Sequence, residues 1–280
     1  MTRLLLMEGN TAEKRAKAAS LGVRSSSEIY ALALRSEFPD FALDVINAAD
    51  PDWSIPEGRS FEDYDGLVIT GSSLHAYDKE YAVTNQMEVL KDAAETGIPI
   101  FGSCWGLQIA VMAAGGQVEY SPNGREVGIA RKIVPNDVGR SHPLLRGKGN
   151  AFDAPCIHYD EVSRMPEGAV LLASNAHSKV QAAIVPLRKS EVWAVQYHPE
   201  FDLDQLVQLY TLYTDDMIEQ GFFADRAALD SYVSNLSALA ADPTDQGLGW
   251  QLGMDEDITD PKRRRGEIIN WVEACVLSSA

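Results

Sequence analysis

Cysteine, positive charge and long apolar runs are scarce in this 280-residue chain, and each scarcity narrows what it can be. Three cysteines, Cys104, Cys156 and Cys275, make an odd number without paired spacing, which argues against a disulfide framework. No C-x-x-C or H-x-x-x-H spacing joins them to the five histidines, so neither a metal site nor a cofactor is expected. Lysine and arginine number 24 against 41 acidic residues, a formal charge of -17. Nucleic-acid partners need clustered cations, and this balance argues against them. The compact basic run Lys262-Arg263-Arg264-Arg265 is flanked by acids and reads as a solvated helix start. No stretch approaches a membrane span, and the apolar part of Met1 to Glu8 is too short for a secretory leader. A cytoplasmic protein without a membrane partner is expected.

What the chain does have is an alternating pattern long enough for one large core, or one core with a small appendage. Arg3 to Met7 reads as the first strand. The polar stretch from Thr11 to Ser27 leaves from its carboxyl end, and two readings stand: the rim of a pocket at that edge, or a solvated surface excursion. A helical pattern over 27–34 follows, then strands at 41–46 and 66–70, an amphipathic helix over 80–95 and a strand at 98–101. Alternation through residue 116 predicts an α/β fold, an open and mostly parallel sheet flanked by helices. Short strands are expected at 118–120, 127–130, 169–172 and 181–185, with a last strong one at 192–196. From Leu203 the chain turns helical out to Leu277, broken once around 242–249. Residues 1–205 are therefore expected as the main domain and 206–280 as a helical extension packed on it.

The most informative stretch is Gly102-Ser103-Cys104-Trp105-Gly106, between a β-branched run and the apolar helix pattern of 107–114 that stops at Gly115-Gly116. Strand, tight G-x-C-x-G turn and helix make a nucleophile elbow with sulfur in place of the usual oxygen. The glycines permit the sharp turn, and the helix aims its N-terminal N–H groups at Cys104, a field that favours a thiolate and later an oxyanion. The last strong strand ends in Tyr197-His198-Pro199-Glu200-Phe201. Carboxyl edges of parallel sheets gather functional side chains. There His198 can take the thiol proton, and Glu200 at i+2 can fix the imidazole tautomer.

The pairing of Gly102-Ser103-Cys104-Trp105-Gly106-Leu107-Gln108 with Val195-Gln196-Tyr197-His198-Pro199-Glu200-Phe201 resembles the class I glutamine amidotransferases, the type with a Cys-His-Glu triad. Ile69-Thr70-Gly71-Ser72-Ser73 lies where that family has its oxyanion loop. Asn123-Gly124-Arg125-Glu126-Val127-Gly128 is similar to the segment after the nucleophile helix in GMP synthetase glutaminase domains. The resemblance spans residues 40–205 and implies a flavodoxin-like fold. It implies Cys104 as nucleophile, His198 as general base and acid, and Glu200 as orienting carboxylate. It further implies the N–H groups of Ser72 and Trp105 as oxyanion donors, with Gly71, Gln108, Tyr159 and Asp160 against the substrate. Gln108 also reads as a polar residue capping buried backbone, and His75 and His142 read as surface histidines.

The chain departs from the family in carrying Gly-Ser where many members have Gly-Gly in the oxyanion loop, and in its two added segments, 11–27 and the helical tail. That tail is too short for a synthetase and lacks a phosphate-binding loop. The implied activity is hydrolysis of the side-chain amide of glutamine or of a γ-glutamyl amide or peptide through a thioester. One alternative is a glutaminase subunit that passes ammonia to a synthetase partner in another chain. Another is a non-catalytic regulatory binding protein on the same scaffold.

Overall fold

A computed structural model describes residues 1–278. The strands are β1 (Arg3–Met7), β2 (Ala42–Ile46), β3 (Gly66–Ile69), β4 (Ile100–Ser103), β5 (Gln117–Tyr120), β6 (Glu126–Pro135), β7 (Phe152–His158), β8 (Asp160–Arg164), β9 (Val170–Ser174), β10 (Ala182–Leu187) and β11 (Ser190–Val195). Helices α1 (Ala12–Ser20), α2 (Ser26–Glu37), α3 (Tyr81–Ala94), α4 (Trp105–Ala113) and α5 (Asp137–Ser141) fall between them. After the last strand come α6 (Leu203–Leu212), α7 (Thr214–Glu219), α8 (Arg226–Ala241), α9 (Gln246–Leu252), α10 (Glu256–Thr259), α11 (Pro261–Arg264) and α12 (Gly266–Trp271).

Nine strands form one sheet in the order β2-β1-β3-β4-β11-β10-β9-β6-β7. The first five run parallel, as the strand–helix alternation predicts, and their order is that of a flavodoxin-like sheet. From β11 onward each neighbour is antiparallel, which extends the sheet as a wing of hairpin-like pairs. Strand residues alternate between faces. Leu5, Met7, Leu67, Ile69 and Ile100 pack with α3 and α4 on one side. Leu4, Leu6, Val68, Phe101 and Trp193 pack on the other with α2 and with Ile268 and Trp271 of α12. The Phe101 and Trp271 rings lie 5.7 Å apart, so the end of the chain supplies part of the helical layer the sheet needs. A fully buried side chain of that size is worth about 3–5 kcal/mol against truncation to alanine.

Four features differ from expectation. The stretch after β1 contains a helix that was not expected: Thr11 caps the N-terminus of α1, which has no buried residue, and Arg24 beyond it grips Asp202 bidentately at 2.8 and 3.0 Å. Strands β7 and β8 were not expected, because Asp153 and Pro155 interrupt the apolar alternation and β8 opens on two acids. Proline is tolerated in β7 because that strand is the sheet's edge. The helical tail breaks at several capped turns rather than once. The basic run is a solvated helix start only in part: Lys262 and Arg263 are exposed on α11, but Arg264 is buried and Arg265 pairs with Glu37 at 2.9 Å. No helix among the described residues is long and apolar enough to cross a membrane.

Candidate active site

Strands β4 and β11 pair in parallel with Ser103 opposite Val195, so both chains leave the sheet at the same carboxyl edge. Cys104 bridges β4 and α4 with φ 50° and ψ −96°, and its N–H donates to Val195 O at 2.8 Å. A non-glycine residue held there stores about 1–3 kcal/mol of strain, sustained by the packing around it. That packing is close: a Cβ on Gly102 would sit 2.8 Å from the Gly106 carbonyl carbon, and one on Gly106 would sit 2.9 Å from Ile69 O. Trp105 is the first residue of α4, so its N–H has no acceptor within the helix and faces the sulfur's end of the dipole. Its indole is turned into the core, where Nε1 donates to Gln86 Oε1 at 2.9 Å.

His198 is anchored by its own N–H, which donates to Pro155 O at 2.7 Å. Its Nδ1 lies 2.7 Å from Glu200 Oε1, and its ring stacks on Phe201 with centroids 4.1 Å apart and planes 12° off parallel. The same Glu200 oxygen accepts from Ser103 Oγ at 3.0 Å, which in turn accepts from the buried Tyr30 hydroxyl at 2.6 Å. With Nδ1 committed to the carboxylate, Nε2 is left buried and without a hydrogen-bond partner. Burial alone lowers the His198 pKa, but the Glu200 charge and the adjacent Cys104 sulfur outweigh it and lift the value to about 10. His198 therefore holds its proton through the neutral range. Cys104 Sγ lies 3.6 Å from Ile157 O, its acceptor in the thiol form.

The loop after β3 closes over this pair. A Cβ on Gly71 would lie 2.7 Å from His198 Cε1, so the first residue of the Gly-Ser pair has to be glycine. Ser72 is not among the positive-φ residues, and its backbone makes no such demand. Its hydroxyl is occupied within the loop, donating to Asn10 Oδ1 at 3.3 Å and accepting from Leu74 N at 3.2 Å. Asn10 Oδ1 also accepts from Ser73 N at 3.1 Å, while its Nδ2 donates to buried Glu8 and to Ser26. Lys14 of α1 clips the same loop through Ser73 O and Oγ, both at 2.9 Å.

Above the sulfur lies a cleft of about 690 Å³. It gathers Cys104, His198, Gly71, Ser72, Gln108, Tyr159 and Asp160; Glu200 stands behind His198 and does not line it. Gln108 serves both of its readings: it lines the cleft, and its Nε2 donates to Asp160 O at 3.1 Å in a buried setting. The Asp160 carboxylate is buried and taken by His75 Nδ1 at 2.7 Å and Tyr77 OH at 3.3 Å. His75 is thus a cleft residue with a partner, not a bare surface histidine. His142 is half-buried, accepts from Leu144 N at 3.1 Å and meets Trp193 edge-on. Opposite His158 on the neighbouring strand, burial tends to raise the Glu126 carboxyl, yet the hydrogen bond and charge of His158 and hydrogen bonds from Asn175 and Gln181 hold it below the ordinary carboxylate range.

Motif reasoning missed the roles of Tyr30, Ser103 and Asn10, which hold the site residues in place. Only Ser103 carried a signal, its place one residue before the sulfur. Arg125 stood inside the quoted Asn123–Gly128 segment, but nothing in the sequence says that it reaches the cleft.

The model of the family Glutamine amidotransferase class-I matches residues 30–210. A Pseudomonas protein named γ-glutamyl-L-1-hydroxyisopropylamide hydrolase is 29% identical over 99% of this chain and 94% of its own length. A GMP synthase from Thermosipho africanus is 38% identical over 48% of this chain, which corresponds to 24% of that protein. Among solved structures, a glutamine amidotransferase from Thermotoga maritima superposes with a TM-score of 0.67, covering 98% of this chain and 99% of that one at 16% identity, a likeness of fold.

Proposed function

This chain belongs to the class I glutamine amidotransferase family, and from that premise we propose that it is a stand-alone hydrolase of γ-glutamyl amides with leaving amines larger than ammonia. The observation that carries this reading is the outer wall of the cleft. Its lining includes α1 (Glu13, Lys14, Lys17) and the end of α6 (Leu209, Leu212), more wall than a departing ammonia needs. Helix α1 lies outside residues 30–210, yet the similarity to the Pseudomonas hydrolase extends over nearly the whole of both chains. That supports a shared kind of substrate more than a shared kind of partner.

In this reading Cys104 Sγ attacks the γ-amide carbon, its proton resting on His198. The oxyanion forms against the N–H groups of Ser72 and Trp105, each worth about 3–4 kcal/mol in comparable sites. Collapse of the tetrahedral adduct breaks the C–N bond, and the His198 imidazolium gives its proton to the leaving amine. Glu200 holds the ring and stabilises its charge throughout. Water, deprotonated by His198, then attacks the thioester carbon; the C–S bond breaks, and glutamate leaves with the thiol restored. Gly71, Gln108, Tyr159 and Asp160 border the γ-glutamyl group.

The similarity to the GMP synthase region keeps a second reading in play, a glutaminase subunit serving a separate synthetase chain. The test is release of ammonia or amine from glutamine and from γ-glutamylethylamide by the purified chain. The expected outcome is kcat/KM for the amide at or above that for glutamine, with Cys104→Ala folded and slower by at least about a thousandfold. Turnover of glutamine alone, and only with a synthetase present, would favour the subunit. Retained turnover in Cys104→Ala would remove the thioester.

A further inference from the structure

Arg125 is a buried cation at the cleft wall that the reaction just described does not use. Its side chain is 2% exposed, yet the residue lines the cleft together with Cys104 and His198. The guanidinium carbon lies 4.5 Å from the ring centre of Tyr159 and 4.4 Å from that of Tyr213. Tyr159 is itself held in place, stacked on Tyr120 with centroids 5.8 Å apart and bound through its hydroxyl to Gln220 Nε2 at 2.8 Å. Arg125 Nε is buried without a partner, and among the described residues the guanidinium's one side-chain hydrogen bond is Nη1 to Asp216 Oδ2 at 3.5 Å. That distance is the outer limit of a hydrogen bond, and the Asp216 side chain is half-exposed.

A buried charge is costly unless it is paired, and this one is under-paired. With two tyrosine rings packed against the guanidinium, the approach left to a polar ligand is along its N–H edge. That is the approach a carboxylate makes when it accepts two parallel N–H bonds. We propose that Arg125, clamped between Tyr159 and Tyr213, is the carboxylate-binding residue of the cleft and selects acidic γ-glutamyl substrates. The inference rests on the hydrolase reading above and narrows its substrate class. The carboxylate has two sources, the α-carboxylate of the γ-glutamyl group or a carboxylate on the leaving amine, as in a γ-glutamyl amino acid. Asp216 is the placeholder that such a ligand displaces.

Binding measured by calorimetry in the Cys104→Ala background separates this inference from the catalytic one, since no turnover is needed. γ-Glutamylalanine and γ-glutamylethylamide differ only by the leaving-group carboxylate; γ-glutamylethylamide and N-ethyl-4-aminobutyramide differ only by the α-carboxylate. In one of these pairs the acidic member should bind about ten- to a hundredfold more tightly, the range for hydrogen bonds between charged groups. Arg125→Met should abolish that ratio while leaving the other pair unchanged, and the pair affected identifies the source. Arg125→Lys keeps the charge and a partner for Asp216 but loses the planar fork, so it should lose most of the ratio and remain folded. Equal affinity within both pairs, or a ratio that survives Arg125→Lys and Arg125→Met, overturns the proposal. So does a variant that weakens all three ligands alike, because that is the mark of a cation needed only to hold the fold.

Discussion

At the floor of the cleft lie Cys104 and His198, with Glu200 behind the histidine; all three are buried at two adjacent strand ends, and Glu200 is locked to His198, Ser103 and, through Ser103, Tyr30 by hydrogen bonds of 2.6–3.0 Å. At the rim, Lys14, Arg24, Tyr159 and Tyr213 are only partly buried and come from three segments far apart in sequence. They are tied by side-chain contacts between distant segments, such as Arg24 to Asp202. The floor is a rigid arrangement that leaves little freedom to the reacting atoms; the rim is a set of separable pieces. Rate should therefore depend on the floor, and choice of substrate on the rim.

The sharpest way to break this comparison is to damage the floor and look for a change in selectivity. His198→Ala should lower kcat by several orders of magnitude on every substrate, and Glu200→Gln by about one order less, because the base moves the proton while the carboxylate only orients it. The two variants should also differ in pH dependence. The raised pKa of His198 means that the stability its proton confers is present below the unfolded value and is lost as pH rises through about 10. Removing the Glu200 charge lowers that pKa, so the alkaline limb of kcat/KM should move to lower pH in Glu200→Gln. An unmoved limb would mean that Glu200 is not what sets the His198 charge.

Asn10 tests the border between the two regions. It ties the loop after β3, the proposed oxyanion loop, through Ser72 and Ser73, to the buried Glu8 that follows β1. Direct loss of an oxyanion donor costs about a hundred- to a thousandfold in kcat, and loosening the loop that carries one should cost less. Asn10→Ala should lower kcat about tenfold with KM for the same substrate unchanged. A rise in KM at constant kcat would put Asn10 in the rim instead.

The floor was legible in the sequence because its geometry is local. A strand, an elbow and i+2 spacing in His198-Pro199-Glu200 bring the groups together once two neighbouring strands are parallel. The parallel half of the sheet was readable for the same reason, through strand–helix alternation. Strands β7 and β8 were not, since Asp153, Pro155 and Asp160 hide their alternation and pairing partners decide them. The rim was unreadable in the same way. Nothing near Arg24 points to Asp202, 178 residues on, and nothing near Arg125 points to Tyr213. His75 looked like a surface residue because its partner, Asp160, is 85 positions away.

The mildest intervention is at α1, where no side chain is buried and the catalytic groups are not touched. Thr11 caps the helix, Arg15 pairs with Asp50 at 2.7 Å, and Glu13, Lys14 and Lys17 line the cleft wall. Replacing residues 12–20 by a Gly-Ser linker removes that wall and the Lys14 clip on Ser73, but keeps Asn10 and the Arg24–Asp202 bridge. Turnover of glutamine, whose leaving group is ammonia, should change by no more than a few-fold through the loosened loop. Turnover of amides with bulkier amines should fall further, because their leaving groups lose the surface that α1 provides. The measurement is the ratio of kcat/KM for γ-glutamylbenzylamide to that for glutamine, before and after the exchange. A fall in that ratio assigns α1 to leaving-group selection. A constant ratio, with both rates lowered together, would make α1 a brace for the oxyanion loop and move the line between floor and rim outward by one element.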